Sequence, residues 1–285
     1  MTLNHYTEFL NAVADTDAFG LYNPLMGTNR NSRGISRSGS SGSFNYSIIG
    51  DGQRPVAYVS WFNAARFCNW LHNGQLNTGS QTAGTTEQGA YALNGATSGV
   101  GFSKGGGTQY WIPSESEWYK AAYYQPAANG GDADGYWLYP TGSNAIPNSR
   151  NGSVSDANSA NFYRDDGIAN GFNEGYAVTN STSYSSSQNY LTAVGAFTQA
   201  HSYYGTFDQG GNVWKWNDAV ISSSRCVRGG SWDGNDNFLE ASARYGIGPN
   251  FVGFRVATVP EPTVSVSLML AGGLFLARRK RPSAL

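Results

Sequence analysis

Two cysteines, Cys68 and Cys226, and three histidines, His5, His72 and His201, are the side chains best suited to nucleophilic or metal chemistry, and they lie far apart. Thiols so widely separated make neither a disulfide framework nor a zinc site, because zinc needs clustered Cys and His ligands. They read either as two separate small buried residues or as one disulfide, the second being open only to an exported domain. Each histidine reads as a surface or loop residue. A Ser-His-Asp triad can be composed on paper, but no nucleophile motif supports one. No paired acid–base set is visible either.

The elements that would have to position such groups are short. Leu3, Tyr6, Phe9, Leu10 and Val13 recur at helical spacing and predict a first amphipathic helix. A Gly/Ser-rich loop follows to about Gly52. A second helix starts at Ser60, carries Trp61, Ala64, Ala65, Cys68 and Leu71 on one face, and stops at Asn73-Gly74. After a long polar loop from Gln75 to Gly107, Ser114 and Glu117 form a capping box for a third helix, continued by Trp118, Ala121 and Ala122. Beyond Tyr124 the chain is rich in turns, with strand-like pieces at Val227–Arg228 and Gly253–Ala257. Aromatic residues reach 14% and glycines number 37, a mix that suits an aromatic core among tight turns. Serine-rich stretches at Ser36–Ser43 and Ser181–Ser187 are the places where disorder is expected. Charged residues make up 13% and the net charge is −1, so no basic field favours nucleic acid. The whole predicts one α+β domain over residues 1–257, without repeats.

The C-terminal segment 258–285 has a different character. Val259-Pro260-Glu261-Pro262 stops regular structure, Thr263–Ala277 is apolar, and Arg278-Arg279-Lys280-Arg281 is basic. A run of about 15 apolar residues is short for a permanent membrane span. The basic cluster would stay cytoplasmic and leave the domain across the membrane. A buried C-terminal helix is the alternative, but the four cations would then need solvent. The three parts in this order resemble the PEP-CTERM sorting signal of Gram-negative envelopes. That resemblance implies a transient inner-membrane anchor, an exosortase-type enzyme as partner, cleavage near Pro262, and delivery to the cell surface or its extracellular matrix. Met1–Leu10 has neither a basic n-region nor an apolar h-region. A tail that works only after export needs a signal peptide, so the natural chain is expected to begin upstream.

Four separated segments resemble the formylglycine-generating-enzyme/sulfatase-modifying-factor superfamily. They are Pro55–Trp61 through Trp70, Trp111-Ile112-Pro113-Ser114-Glu115-Ser116-Glu117-Trp118, Gly210-Gly211-Asn212-Val213-Trp214-Lys215-Trp216, and Arg228-Gly229-Gly230-Ser231-Trp232 closed by Gly253-Phe254-Arg255-Val256. The resemblance implies a variant of the C-type lectin fold. Residues 1–6 align inside the family's first strand-to-helix motif, so a missing N-terminal strand and an unpaired sheet edge are expected.

Oxidase members of the superfamily convert a substrate cysteine to formylglycine with a copper ion held by two cysteines. Copper(I) prefers soft thiolates. The corresponding positions here are Gly234 and Leu239, so copper and that reaction are not expected. A second branch uses an iron site made of histidines on an attached helical domain; His5, His72 and His201 lie far apart, so that site is not expected here. Of the calcium sites that the resemblance implies, one falls on Asp208, Gly211, Val213 and Lys215, where Lys215 replaces a glutamate. The other starts at Asn161 and Phe162 but finds no carboxylate in Ser185–Tyr190. Calcium is a hard cation held by oxygens. No cofactor is expected, calcium included, and Lys215 is expected to pair with Asp208 or reach solvent.

Two functions follow. The first is a non-catalytic surface or matrix domain that binds a glycan or peptide through the loops Trp232–Phe238 and Tyr245–Phe251, with Trp232, Phe238 and Tyr245 either exposed to stack on the ligand or, equally, simply part of the core. The second is an enzyme with altered chemistry in the same cleft, where the resemblance points to Trp214, Ser231 and Arg244.

Overall fold

The computed structural model describes residues 1–152, 156–246 and 251–259. Helix α1 (Leu3–Val13) starts where the Thr2 hydroxyl accepts the His5 backbone N–H, and it buries the predicted Leu3, Tyr6, Phe9, Leu10 and Val13. A single turn, α2 (Leu25–Thr28), leads to the antiparallel hairpin of β1 (Ile35–Ser38) and β2 (Asn45–Ile48). Helix α3 (Trp61–His72) opens on Ser60, whose hydroxyl accepts the Asn63 N–H at 3.1 Å. Strand β3 (Tyr110–Trp111) precedes α4 (Glu115–Tyr123). The Ser114–Glu117 capping box forms as expected, and Glu117 also accepts the Trp111 indole N–H at 2.9 Å.

Two small pairs follow: β4 (Asn148–Ser149) parallel to β5 (Ser159–Ala160), and β6 (Tyr163–Asp165) antiparallel to β7 (Glu174–Tyr176). The main sheet places β8 (Trp214–Ile221) between β9 (Ser224–Arg228), antiparallel, and β10 (Val252–Phe254), parallel. Strand β11 (Ala257–Thr258) returns to pair with β3. The α+β class and the three longer helices stand as the sequence predicts. The turn at α2 and the single π-helical turn at Ala83–Glu87 are too short to show periodicity, and both fall in stretches expected to be loop. The serine-rich stretches expected to be disordered are built in. Ser36–Ser38 lies in β1, and the Tyr184 hydroxyl donates to the Asn31 side chain at 2.6 Å.

Aromatic rings interlock at the centre. Phe9, Phe67 and Phe254 meet edge to face, with Phe67 5.2 Å from each of the others between ring centroids. The Trp216 indole N–H donates to the Val59 carbonyl at 2.7 Å, tying β8 to the segment that leads into α3. Burying each such ring is worth about 1.5–3 kcal/mol.

The loop from Gln75 to Gly107 is pinned from beneath. Arg66 on α3 is fully buried, and its guanidinium grips Glu87 at 2.7 and 2.9 Å. Glu87 also accepts the Gly95 N–H at 2.7 Å, so the carboxylate organises the loop around itself. At the start of the chain the Met1 amine donates to the Phe254 carbonyl at 2.7 Å, and the Met1 carbonyl accepts the Val56 N–H. An isolated antiparallel bridge joins Thr2 to Pro55. Among the described residues no helix is long and apolar enough to cross a membrane, and the segment 263–277 lies outside them.

Candidate functional site

Strand β9 ends at Arg228 and runs into Gly229-Gly230, whose φ values of +83° and +69° place both in the left-handed region that favours glycine. The two positions face different neighbours. A Cβ on Gly229 would sit 2.2 Å from the Gln209 carbonyl, and one on Gly230 would sit 2.9 Å from Leu239. This turn delivers Ser231 and Trp232 to the face that the sequence singles out.

That face is a packed aromatic wall. Trp214 is buried and meets Phe238 at 5.4 Å and Tyr245 at 5.5 Å, while Phe238 and Tyr245 touch at 5.3 Å, all edge to face. Phe238 and Tyr245 are half-buried. Trp232 is not exposed as a ligand-gripping ring must be: only 3% of it reaches solvent. Its indole lies flat on Tyr190, centroids 4.5 Å apart and planes 2° from parallel, with Tyr176 and Phe251 around it. That candidate ligand-gripping ring fills the core instead. Arg244 is exposed and makes no ion pair among the described residues, and positions 247–250 of the second loop lie outside them. Tyr184, half exposed beside Tyr176 and Tyr190, also reaches solvent from this wall and is a ring that sequence reading missed.

Ser231 is buried, and its hydroxyl donates to Asp233 at 2.5 Å. A carboxylate partner holds that proton but is too weakly basic to create an alkoxide, and nucleophilic serines take a base such as histidine. The His5 ring meets Thr2, and His201 meets the Ser202 carbonyl, so neither serves Ser231.

The residues present do not fit copper. Leu239 is fully buried against Tyr139, Ala160 and Phe162, and a Cβ on Gly234 would come within 2.8 Å of the Phe238 ring. Both real thiols are buried and unpaired, which leaves the first of the two cysteine readings. Burial pushes the Cys68 thiol well up, and burial reinforced by Glu115 pushes Cys226 up to about 11.

Calcium does not fit either. Lys215 is buried on β8 rather than in solvent or in contact with Asp208, and its side chain donates to the Gly211 carbonyl. Asp208 instead accepts the Gly195 N–H at 2.6 Å. Burial pulls the Lys215 pKa well down, Arg255 adds to this, and Asp208 opposes it. At the second position the Asn161 amide donates to the Tyr190 carbonyl at 2.8 Å, the Asn161 carbonyl accepts the Asn212 N–H at 2.7 Å, and the Phe162 carbonyl accepts the Ser149 hydroxyl at 2.6 Å. Protein donors already use the oxygens a cation would need. Among the described residues no three His, Cys, Asp or Glu side chains gather as metal ligands would.

The family model for the sulfatase-modifying factor enzyme 1-like domain matches residues 1–259. No curated protein matches the chain. Among solved structures, CarF is 19% identical, covering 91% of this chain and 84% of its own with a TM-score of 0.47. Variable protein 1 of Treponema denticola is 19% identical, covering 83% and 79% with a TM-score of 0.39. PvdO from Pseudomonas aeruginosa is 16% identical, covering 85% and 77% with a TM-score of 0.36. Likenesses this distant assign no activity.

Proposed function

The chain belongs to the FGE-sulfatase family of sulfatase-modifying factor enzyme 1-like domains, and from that premise we propose that it is a non-catalytic member, exported and sorted by its C-terminal tail, that binds a ligand or builds structure at the cell surface. The observation that carries the reading is the pair of positions 234 and 239. A glycine with a ring against its Cβ site and a leucine sealed in the core stand where the oxidase chemistry needs two thiolates. The tail's proline pair, apolar run and basic cluster support export.

The decisive assay incubates the purified chain with copper(I), oxygen and a cysteine-containing sulfatase-motif peptide, and follows peptide mass. Unchanged peptide is the expected outcome; formation of the aldehyde would overturn the non-catalytic reading. Sorting is tested by fusing residues 258–285 to an exported reporter in an exosortase-bearing Gram-negative host. Trimming of the tail is expected, and a reporter that keeps its full tail in the inner membrane would refute the proposal.

A further inference from the structure

At the N-terminus of α3 lies an open cavity of about 310 Å³, lined by the rings of Phe19, Tyr22 and Tyr58 and by Ser60, Asn63 and Thr97. Among the described residues no charged side chain lines it. Its rings are held in place by other parts of the protein. The Arg66 guanidinium lies 4.4 Å from the Phe19 ring centroid and is itself locked on Glu87. The Tyr22 hydroxyl donates to the Ile35 carbonyl at 3.3 Å, and the Tyr58 hydroxyl accepts from Ser32 at 3.0 Å. Tyr58 has a φ of +62°, a conformation that aromatic residues rarely adopt and that clusters at ligand clamps.

The polar groups of the cavity have bonding capacity left over. Asn63 is only 6% exposed, and its Nδ2 donates to the Gly20 carbonyl at 2.8 Å, which fixes the amide. Its Oδ1 accepts nothing among the described residues, yet it is not sealed from solvent. The Ser60 hydroxyl accepts the Asn63 N–H at 3.1 Å and keeps its own proton to donate. The exposed Thr97 hydroxyl can do both. Its loop is pinned, because Arg66 also donates to the Ala96 carbonyl at 2.9 Å.

This set selects among ligands. An ion would shed its water here with no opposite charge to receive it. An apolar peptide side chain would cover Asn63 Oδ1 and the Ser60 hydroxyl without replacing their hydrogen bonds to water. A sugar hydroxyl both donates and accepts, while the C–H face of its ring packs on aromatic carbon. The volume lies at the small end of ligand cavities, which suits a single sugar ring. We propose that this cavity binds one residue of a neutral glycan, its hydroxyls on Asn63, Ser60 and Thr97 and its ring against the aromatic lining. The cavity shares no lining residue with the Trp214–Trp232 face, so the inference stands whether or not that face binds anything.

The test titrates the full chain by calorimetry with the methyl glycosides of D-glucose, D-galactose and D-mannose. D-glucuronate is the charged control, and cyclohexanol is the ring without a sugar's hydroxyls. Saturable binding of at least one glycoside is expected, roughly tenfold tighter than either control. Thr97→Val, a change at an exposed position, should weaken that glycoside severalfold without moving the melting curve. Phe19→Leu, checked for folding in the same way, should also weaken it. Absence of saturation by all three glycosides, or a control that binds as tightly, would overturn the proposal. So would binding that survives both variants; its loss in Tyr184→Ala instead would place the sugar on the aromatic wall.

Discussion

The Lys215 side chain donates to the carbonyl of Gly211, four residues upstream, where pairing with Asp208 or exposure to solvent was expected. A buried lysine side chain thus uses an oxygen that the calcium geometry would need. Melting temperature should be unchanged between chelator and millimolar calcium, and a rise of several degrees would show that the ion binds after all. Lys215→Glu removes the donor and adds a charge near Asp208. Its loss should be about 1–3 kcal/mol, or roughly 2–4 °C per kcal/mol in a domain of this size. Calcium should recover part of it.

Truncating Trp232 should damage the fold rather than a binding face. Removing a buried indole stacked on Tyr190 costs about 3–5 kcal/mol, so Trp232→Ala should melt far earlier and lose near-ultraviolet circular dichroism. Tyr184→Ala should cost less, about 1–3 kcal/mol, since that ring is half exposed and its main loss is the hydroxyl bond to Asn31. If glycan or peptide binding occurs at this wall, Tyr184→Ala should abolish it in a folded protein. Equal stability losses in the two variants would contradict the packing described.

Both thiols should be silent in the native state. Thiolate is the reactive form, and burial holds Cys68 and Cys226 above their ordinary range. Ellman's reagent at pH 8 should detect no fast thiol natively and two after guanidinium. One fast native thiol would place Cys226 nearer solvent than it is.

Asp218 should give stability a slope in mild acid. Burial raises its carboxyl to about 6, while Arg225, bonded at 2.9 Å, pulls the other way. The unfolded value is about 3.9, so between those values the folded state keeps a proton that the unfolded state releases. Stability then falls as pH rises from about 4 to about 6 and is level above, by about 2–3 kcal/mol at 1.4 kcal/mol per unit. Asp218→Asn should flatten that window in a plot of melting temperature against pH; an unchanged slope would assign it elsewhere.

Local patterns were legible because their physics is local. Ser114 and Glu117 satisfy donors within one turn, and Leu3 to Val13 repeat on one face, so the sequence alone locates α4 and α1. Lys215 was misread because β8 is flanked by strands and covered on both sides, so Trp214, Lys215, Trp216 and Asn217 are all buried and the usual in–out alternation fails. Trp232 stayed open between core and binding face because Tyr190, the ring that covers it, lies far away in sequence, just beyond a serine-rich stretch. Glu87 lies in the polar loop from Gln75 to Gly107, and nothing nearby in sequence announces Arg66 beneath it.

Strand β10 is a late segment of the domain, yet β8 pairs with it and the Met1 amine bonds to its Phe254. Such closure over most of the chain is a feature of high contact order, and loop entropy must be met before those contacts reward it. Folding should therefore be slow and should wait for residue 254 to leave the ribosome. A chain kept open in this way remains threadable through a translocation channel for as long as synthesis lasts.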